Sequence, residues 1–146
     1  DPVSRMWSAA RHRCKYMYGL SGFSSQEANQ TVLERYMTQE EESKSRYEII
    51  IPKILSVFGK DDVFLAFFED LFTLNSNKRL SRFLNINDIK FKNNKASNVG
   101  EGGNFLLDDE IAQLLFEHYK PTYRFVFEMF DSPALVKWRL PACTNL

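Results

Sequence analysis

The chain has 146 residues, enough for one domain or a piece of one. Hydrophobic residues make up 44% and aromatics 14%, with 13 Phe, a composition that demands a packed core and excludes a largely disordered chain. Nineteen basic residues stand against nineteen acidic ones, which removes the electrostatic case for nucleic acid as a partner.

Asp1-Pro2 reads as a helix start, with an acid at the cap and Pro in the first turn, and the helix is expected to run to Tyr18 before Gly19 ends it. At about 100° per residue, Trp7, Ala10, Cys14 and Tyr18 share one stripe that should face the core. Arg5, Ser8 and His12 fall on roughly the opposite side. Residues 20–25 form a Ser/Gly loop. Gln26 to Thr38 reads as a short helix capped by Ser25, and Gln39 to Lys44 as a charged, solvated stretch. Ser45 to Phe58 is a stronger helix: Tyr47, Ile50, Ile51, Ile54, Leu55 and Phe58 follow helical spacing, Pro52 is a candidate kink and Gly59 a stop.

Asp62 to Phe68 is nearly all apolar, which suits a strand buried on both faces of a parallel sheet. Leu80, Phe83 and Leu84 then mark a short helix ending near Asn85, and 86–106 reads as a long loop. Asp108 and Asp109 open a helix carrying Ile111, Leu114, Leu115 and Tyr119. Pro121 is expected to break it, with Thr122 to Phe130 as a second helix and an irregular tail from Asp131. The chain has no internal repeat. One strand cannot form a sheet by itself, so its partner strands are expected outside this chain. The start at Asp-Pro, with no initiator Met, likewise points to a preceding segment.

Cys14 and Cys143 have no metal-type spacing; two free thiols are the expectation, and pairing would require the fold to bring them together. No apolar run approaches the ~20 residues of a membrane span. Zinc-protease, nucleophile-elbow and Walker-A motifs are all missing, and no metal is expected.

The opening segment Asp1 to Ser8 (DPVSRMWS) resembles the 3′-phosphate-binding motif of sulfotransferases that use 3′-phosphoadenosine-5′-phosphosulfate (PAPS). Ser8 falls at that family's serine position, whereas the Arg that precedes Asp-Pro in the family would lie before residue 1. Three further segments follow in the family's order. Ser45-Arg46-Tyr47 with Val57 to Leu71, ending in Phe68-Glu69-Asp70-Leu71, resembles its helix-strand unit. Lys78 to Ile86 resembles the short helix that comes next. Tyr119-Lys120-Pro121-Thr122-Tyr123 with Phe130 resembles its closing segment. Between them, the Lys95 to Gly100 loop occupies the place of the family's second phosphate-binding loop.

The resemblance implies the later, mostly helical part of an α/β fold, a parallel sheet flanked by helices related to nucleotide kinases. It implies PAPS as co-substrate and a hydroxyl or amine acceptor, carbohydrate among the options. Ser8 would donate its hydroxyl to the 3′-phosphate, with Arg5 one turn earlier on the same face. Lys95 would give a point charge, and Asn98 and the backbone at Gly100 neutral donors. Glu69 is read as structural, and Tyr47 as a core residue at the edge of the nucleotide region. No catalytic residue is assigned to this chain. The compartment follows the source: cytoplasm for a bacterial enzyme, Golgi lumen for an anchored eukaryotic one. A different class competes: a non-catalytic helical interaction domain whose loop only looks like an anion site.

Overall fold

The computed structural model describes residues 1–19, 22–87 and 105–138. Its elements are six α-helices and a closing 3₁₀ turn: α1 (Pro2–Tyr18), α2 (Ser25–Arg35), α3 (Gln39–Ser45), α4 (Tyr47–Phe58), α5 (Leu74–Phe83), α6 (Asp109–Met129) and Pro133–Lys137. Among the described residues there is no strand. The expected parallel sheet is therefore overturned, and this part of the chain is all-helical.

Helix α6 is the axis of the core. Its Leu115, Phe116, Tyr119, Tyr123 and Val126 lie at helical spacing and are all buried. Against this stripe α1 places Val3, Met6 and Ala10, α2 places Val32, and the C-terminal turn folds back Leu135 and Trp138. The buried face of α1 is turned slightly from the expected one. Met6, Ala10 and Cys14 are at its centre, Trp7 is at the edge, and Tyr18 is half exposed. Cys14 packs its sulfur 3.3 Å from the Thr31 hydroxyl of α2.

Local chemistry fixes the element ends. Asp1 caps α1 by accepting from the N–H groups of Val3 and Ser4. Gly19 ends α1 and Gly59 ends α4, both at positive φ, a conformation that carries no penalty for glycine. Helix α2 starts one residue earlier than expected, because Ser24 and Glu27 form a reciprocal capping box. Ser25 instead uses its hydroxyl to accept from the Leu106 N–H.

Three expectations fail for identifiable reasons. The stretch from Gln39 is a helix, not a solvated loop: three acids sit in its first turn, and Lys44 pairs with Glu40 one turn on. It separates from α4 at Arg46, whose φ of −83° and ψ of 70° are non-helical. Pro121 does not break α6. It faces solvent, so the carbonyl it leaves unpaired stays open to water, while buried Thr122, Tyr123 and Val126 lock the next turns in place. The 62–68 run is an irregular connection. With no neighbouring strand among the described residues, it satisfies its apolar side chains against rings instead: Phe67 meets Phe130 and Trp138, and Phe64 meets Phe83.

Candidate functional site

A cleft of about 830 Å³ runs along the outer face of α1. Its lining spans Asp1 to Tyr16, a rise of about 22 Å at helical geometry. Among the α1 residues that line it, Arg5, Ala9, His12 and Tyr16 share one face of the helix, spaced i, i+4, i+7 and i+11. Ala9 has no long side chain, so the floor stays open between Arg5 and His12. Ser8 flanks this stripe on one side and Arg13 on the other. The facing wall is Arg35 of α2 with Glu40, Glu41 and Lys44 of α3. Tyr47, Phe68 and Glu69 close the end near Asp1.

The two expected anion-binding residues that lie among the described residues, Ser8 and Arg5, share this cleft. They stand in different states. Ser8 is exposed, and its hydroxyl makes no hydrogen bond within the described residues. Arg5 is committed. Its Nε donates to the Ser45 hydroxyl at 2.6 Å, and its Nη2 donates to a Glu41 carboxylate oxygen at 2.7 Å and to the Glu41 carbonyl at 3.4 Å. Arg5 is thus the polar tie between α1 and α3. Lys95, Asn98 and Gly100, the other three expected contacts, lie outside the described residues, as does Cys143.

The start of α1 is not an open anion nest. The Asp1 carboxylate already takes the first amide donors and sets a negative charge on the helix end, so a hydroxyl at Ser8 works with side-chain cations, not with free amides. Asp1 also accepts from the Tyr123 hydroxyl at 2.8 Å, which ties the start of α1 to the core helix.

Glu41 was not anticipated. It is 5% exposed and receives three cations: Arg5 on one oxygen, with Lys44 at 3.6 Å and Arg35 at 3.9 Å from the other. Glu40 lies outside it, exposed, and pairs with Arg35 at 2.5 Å and Lys44 at 2.9 Å. The hydrogen bond from Lys44 is the main reason the Glu40 carboxyl titrates below its usual range, and the same contact holds the Lys44 ammonium above its own. The cleft's four Lys and Arg side chains are matched by four carboxylates: Asp1, Glu40, Glu41 and Glu69. Arg13 and His12 have no ion-pair partner among the described residues. Tyr47 packs against the core while lining the cleft, and burial raises its phenol above the ordinary value. Glu69, expected at a strand end, sits instead in the connection before α5.

A separate polar cluster lies across the fold. His118 is hydrogen-bonded to Glu42 at 2.5 Å, Arg46 donates to the His118 carbonyl at 3.1 Å, and the buried Thr122 hydroxyl donates to Glu48 at 2.6 Å. These contacts join α3 and α4 to α6. Arg46 Nε and a Glu48 carboxylate oxygen lie 2.9 Å apart as an ion pair at the centre of the cluster. The sequence held a signal for Glu41 in its run of three acids followed by Lys44 and Arg46, but only the fold places Arg5 opposite it. No group of three or more His, Cys, Asp or Glu side chains able to hold a metal occurs among the described residues, and none of their helices is long and apolar enough to cross a membrane. No family model, no curated protein and no solved structure matches the chain.

Proposed function

We propose that this chain carries the 3′-phosphate-binding part of a PAPS-dependent sulfotransferase, gripping the donor nucleotide rather than performing the transfer. The observation that carries the reading is the convergence of an unengaged Ser8 hydroxyl with Arg5, His12 and Arg13 along one open cleft. A hydroxyl among guanidinium groups is the donor set a terminal phosphate needs. Tyr47 and the exposed Phe68 ring at the end of the cleft supply apolar surface for a base. Because every Lys and Arg of the cleft but Arg13 is already paired, binding by this chain alone is weak, in the millimolar range, and the chain alone transfers no sulfuryl group.

The test is thermal. With about 10 mM adenosine 3′,5′-bisphosphate and a Kd near 1 mM, linkage adds about 1.4 kcal/mol of stability, a rise of roughly 3–6 °C in the melting temperature. Adenosine at the same concentration is the control and is expected to do nothing. A melting point unmoved by the bisphosphate refutes the reading.

One observation favours the second reading, a helical interaction domain. Helix α4 has no buried residue, and its Ile49, Val57 and Phe58 are exposed. Exposed apolar side chains gathered on one helix are the kind of surface a partner covers. Partner binding through α4 with no nucleotide response in the cleft would establish that alternative.

A further inference from the structure

Most of the positive charge along the cleft is already matched. Arg5, Arg35 and Lys44 are held by Glu40 and Glu41, and the four Lys and Arg side chains face four carboxylates. Glu41 is buried and fixed, so it repels any anion that approaches Arg5, a dianion about twice as strongly as a monoanion. A phosphate is therefore better placed away from Arg5, farther along α1. Ser8 and His12 stand there one turn apart, about 6 Å between β-carbons, and Ala9 leaves the floor beside them open. Both are exposed, and neither has a partner among the described residues.

We infer that His12 is the proton gate of this cleft: its charged imidazole completes, with the Ser8 hydroxyl, the seat of a dianionic group, and its neutral form releases that group. The inference rests on the nucleotide reading above and adds the regulation of that site by pH. Imidazole is the side chain that changes charge between about pH 5 and 8. The groups facing His12 across the cleft do not. The guanidinium groups of Arg5, Arg13 and Arg35 and the Tyr16 phenol keep their state by their chemistry, and Glu40, Glu41 and Lys44 are locked in ion pairs. The amino group of Asp1 is the exception, since burial lowers it below its usual 8.0; it stands at the other end of the cleft, 3.8 Å from Glu69. One proton on His12 thus tips an evenly balanced set of side chains to a positive surplus. Beside a dianion in a solvated cleft screened by salt, that charge is worth about tenfold in affinity.

Sodium sulfate is the probe, because its two charges stay constant over this interval while those of a phosphate do not. Amide chemical shifts of the full chain follow its titration at constant ionic strength, at about pH 5.5 and at about pH 8. The wild type is expected to bind in the millimolar range at the lower pH and about tenfold more weakly at the higher. His12→Gln should show the weaker affinity at both, and His12→Lys, charged at both, nearly the stronger one. No saturable shift in the wild type at the lower pH overturns the inference. So does a tenfold pH response that survives in H12Q, which would place the titration at the Asp1 amino group. Adenosine 3′,5′-bisphosphate at the lower pH separates this inference from the reading beneath it. If sulfate binds under His12 control and the bisphosphate shifts nothing, the nucleotide reading fails and the gate stands. If the bisphosphate binds and the sulfate response is the same in H12Q, the gate falls and the nucleotide reading stands.

Discussion

Replacing Arg5 with Met tests how α1 is held to α3. The change keeps most of the aliphatic stem and removes the guanidinium, so three hydrogen bonds are lost: one to Ser45 and two to Glu41. Breaking one side of a fully buried ion pair costs about 3–5 kcal/mol, because the surviving charge is left uncompensated. Two features of this site reduce that figure. The Arg5 side chain is 25% exposed, so water screens part of the interaction, and Lys44 and Arg35 remain within 4 Å of Glu41. The expected loss is therefore about 2 kcal/mol, a drop of roughly 4–8 °C in the melting temperature. Urea unfolding followed by circular dichroism measures it. The double variant R5M/E41L removes both charges and should recover at least half of the loss, since an apolar pair of similar volume tolerates burial. A loss below about 0.5 kcal/mol for R5M, or a double variant less stable than the sum of its parts, would refute this account of Arg5.

Further outcomes follow from the core. Trp138→Ala removes a 6%-exposed ring packed edge-on against Phe67, Tyr123 and Phe127, and should cost about 3–5 kcal/mol by denaturant unfolding. Thr122→Val keeps the shape but removes the donor to Glu48, with an expected cost of about 1.5–2 kcal/mol in the same assay. Stability should also fall in alkali. Burial raises the phenols of Tyr123, Tyr119 and Tyr47 above their ordinary value of 10.0, so the folded chain retains protons that the unfolded chain releases. Their contribution is complete below pH 10 and is lost as the pH climbs above it. Melting temperatures measured across that range should decline, and less steeply for Tyr123→Phe. An equal decline in that variant would contradict the assignment.

Much of the helical pattern was legible because it rests on short-range chemistry. The Asp1-Pro2 start, the Gly19 and Gly59 stops and the Asp108 cap are all where local rules put them. What failed depended on partners distant in sequence. An all-apolar run such as Val63 to Phe67 fits a two-sided strand or a connection lying on aromatic rings equally well, and only the presence of a neighbouring strand decides between them. The ring of Pro121 by itself predicts a break, yet the buried residues on both sides carry the helix through it. At the cleft, the shared face of Arg5, Ser8 and His12 was readable from helical spacing. That Arg5 is already held by Glu41, 36 residues away, was not, because the acid run of α3 looks like a solvated surface until α1 lies across it.

The central claim is that the α1–α3 cleft takes the terminal phosphate of a nucleotide. Amide chemical shifts of the full chain, followed during titration with adenosine 3′,5′-bisphosphate, address it residue by residue. The account predicts millimolar binding, with the perturbed amides concentrated between Ser4 and Arg13 and around Glu41, and a response weakened severalfold in Ser8→Ala, the variant that loses only a hydroxyl. Perturbations confined to α4 and α5, or none at all, would contradict it.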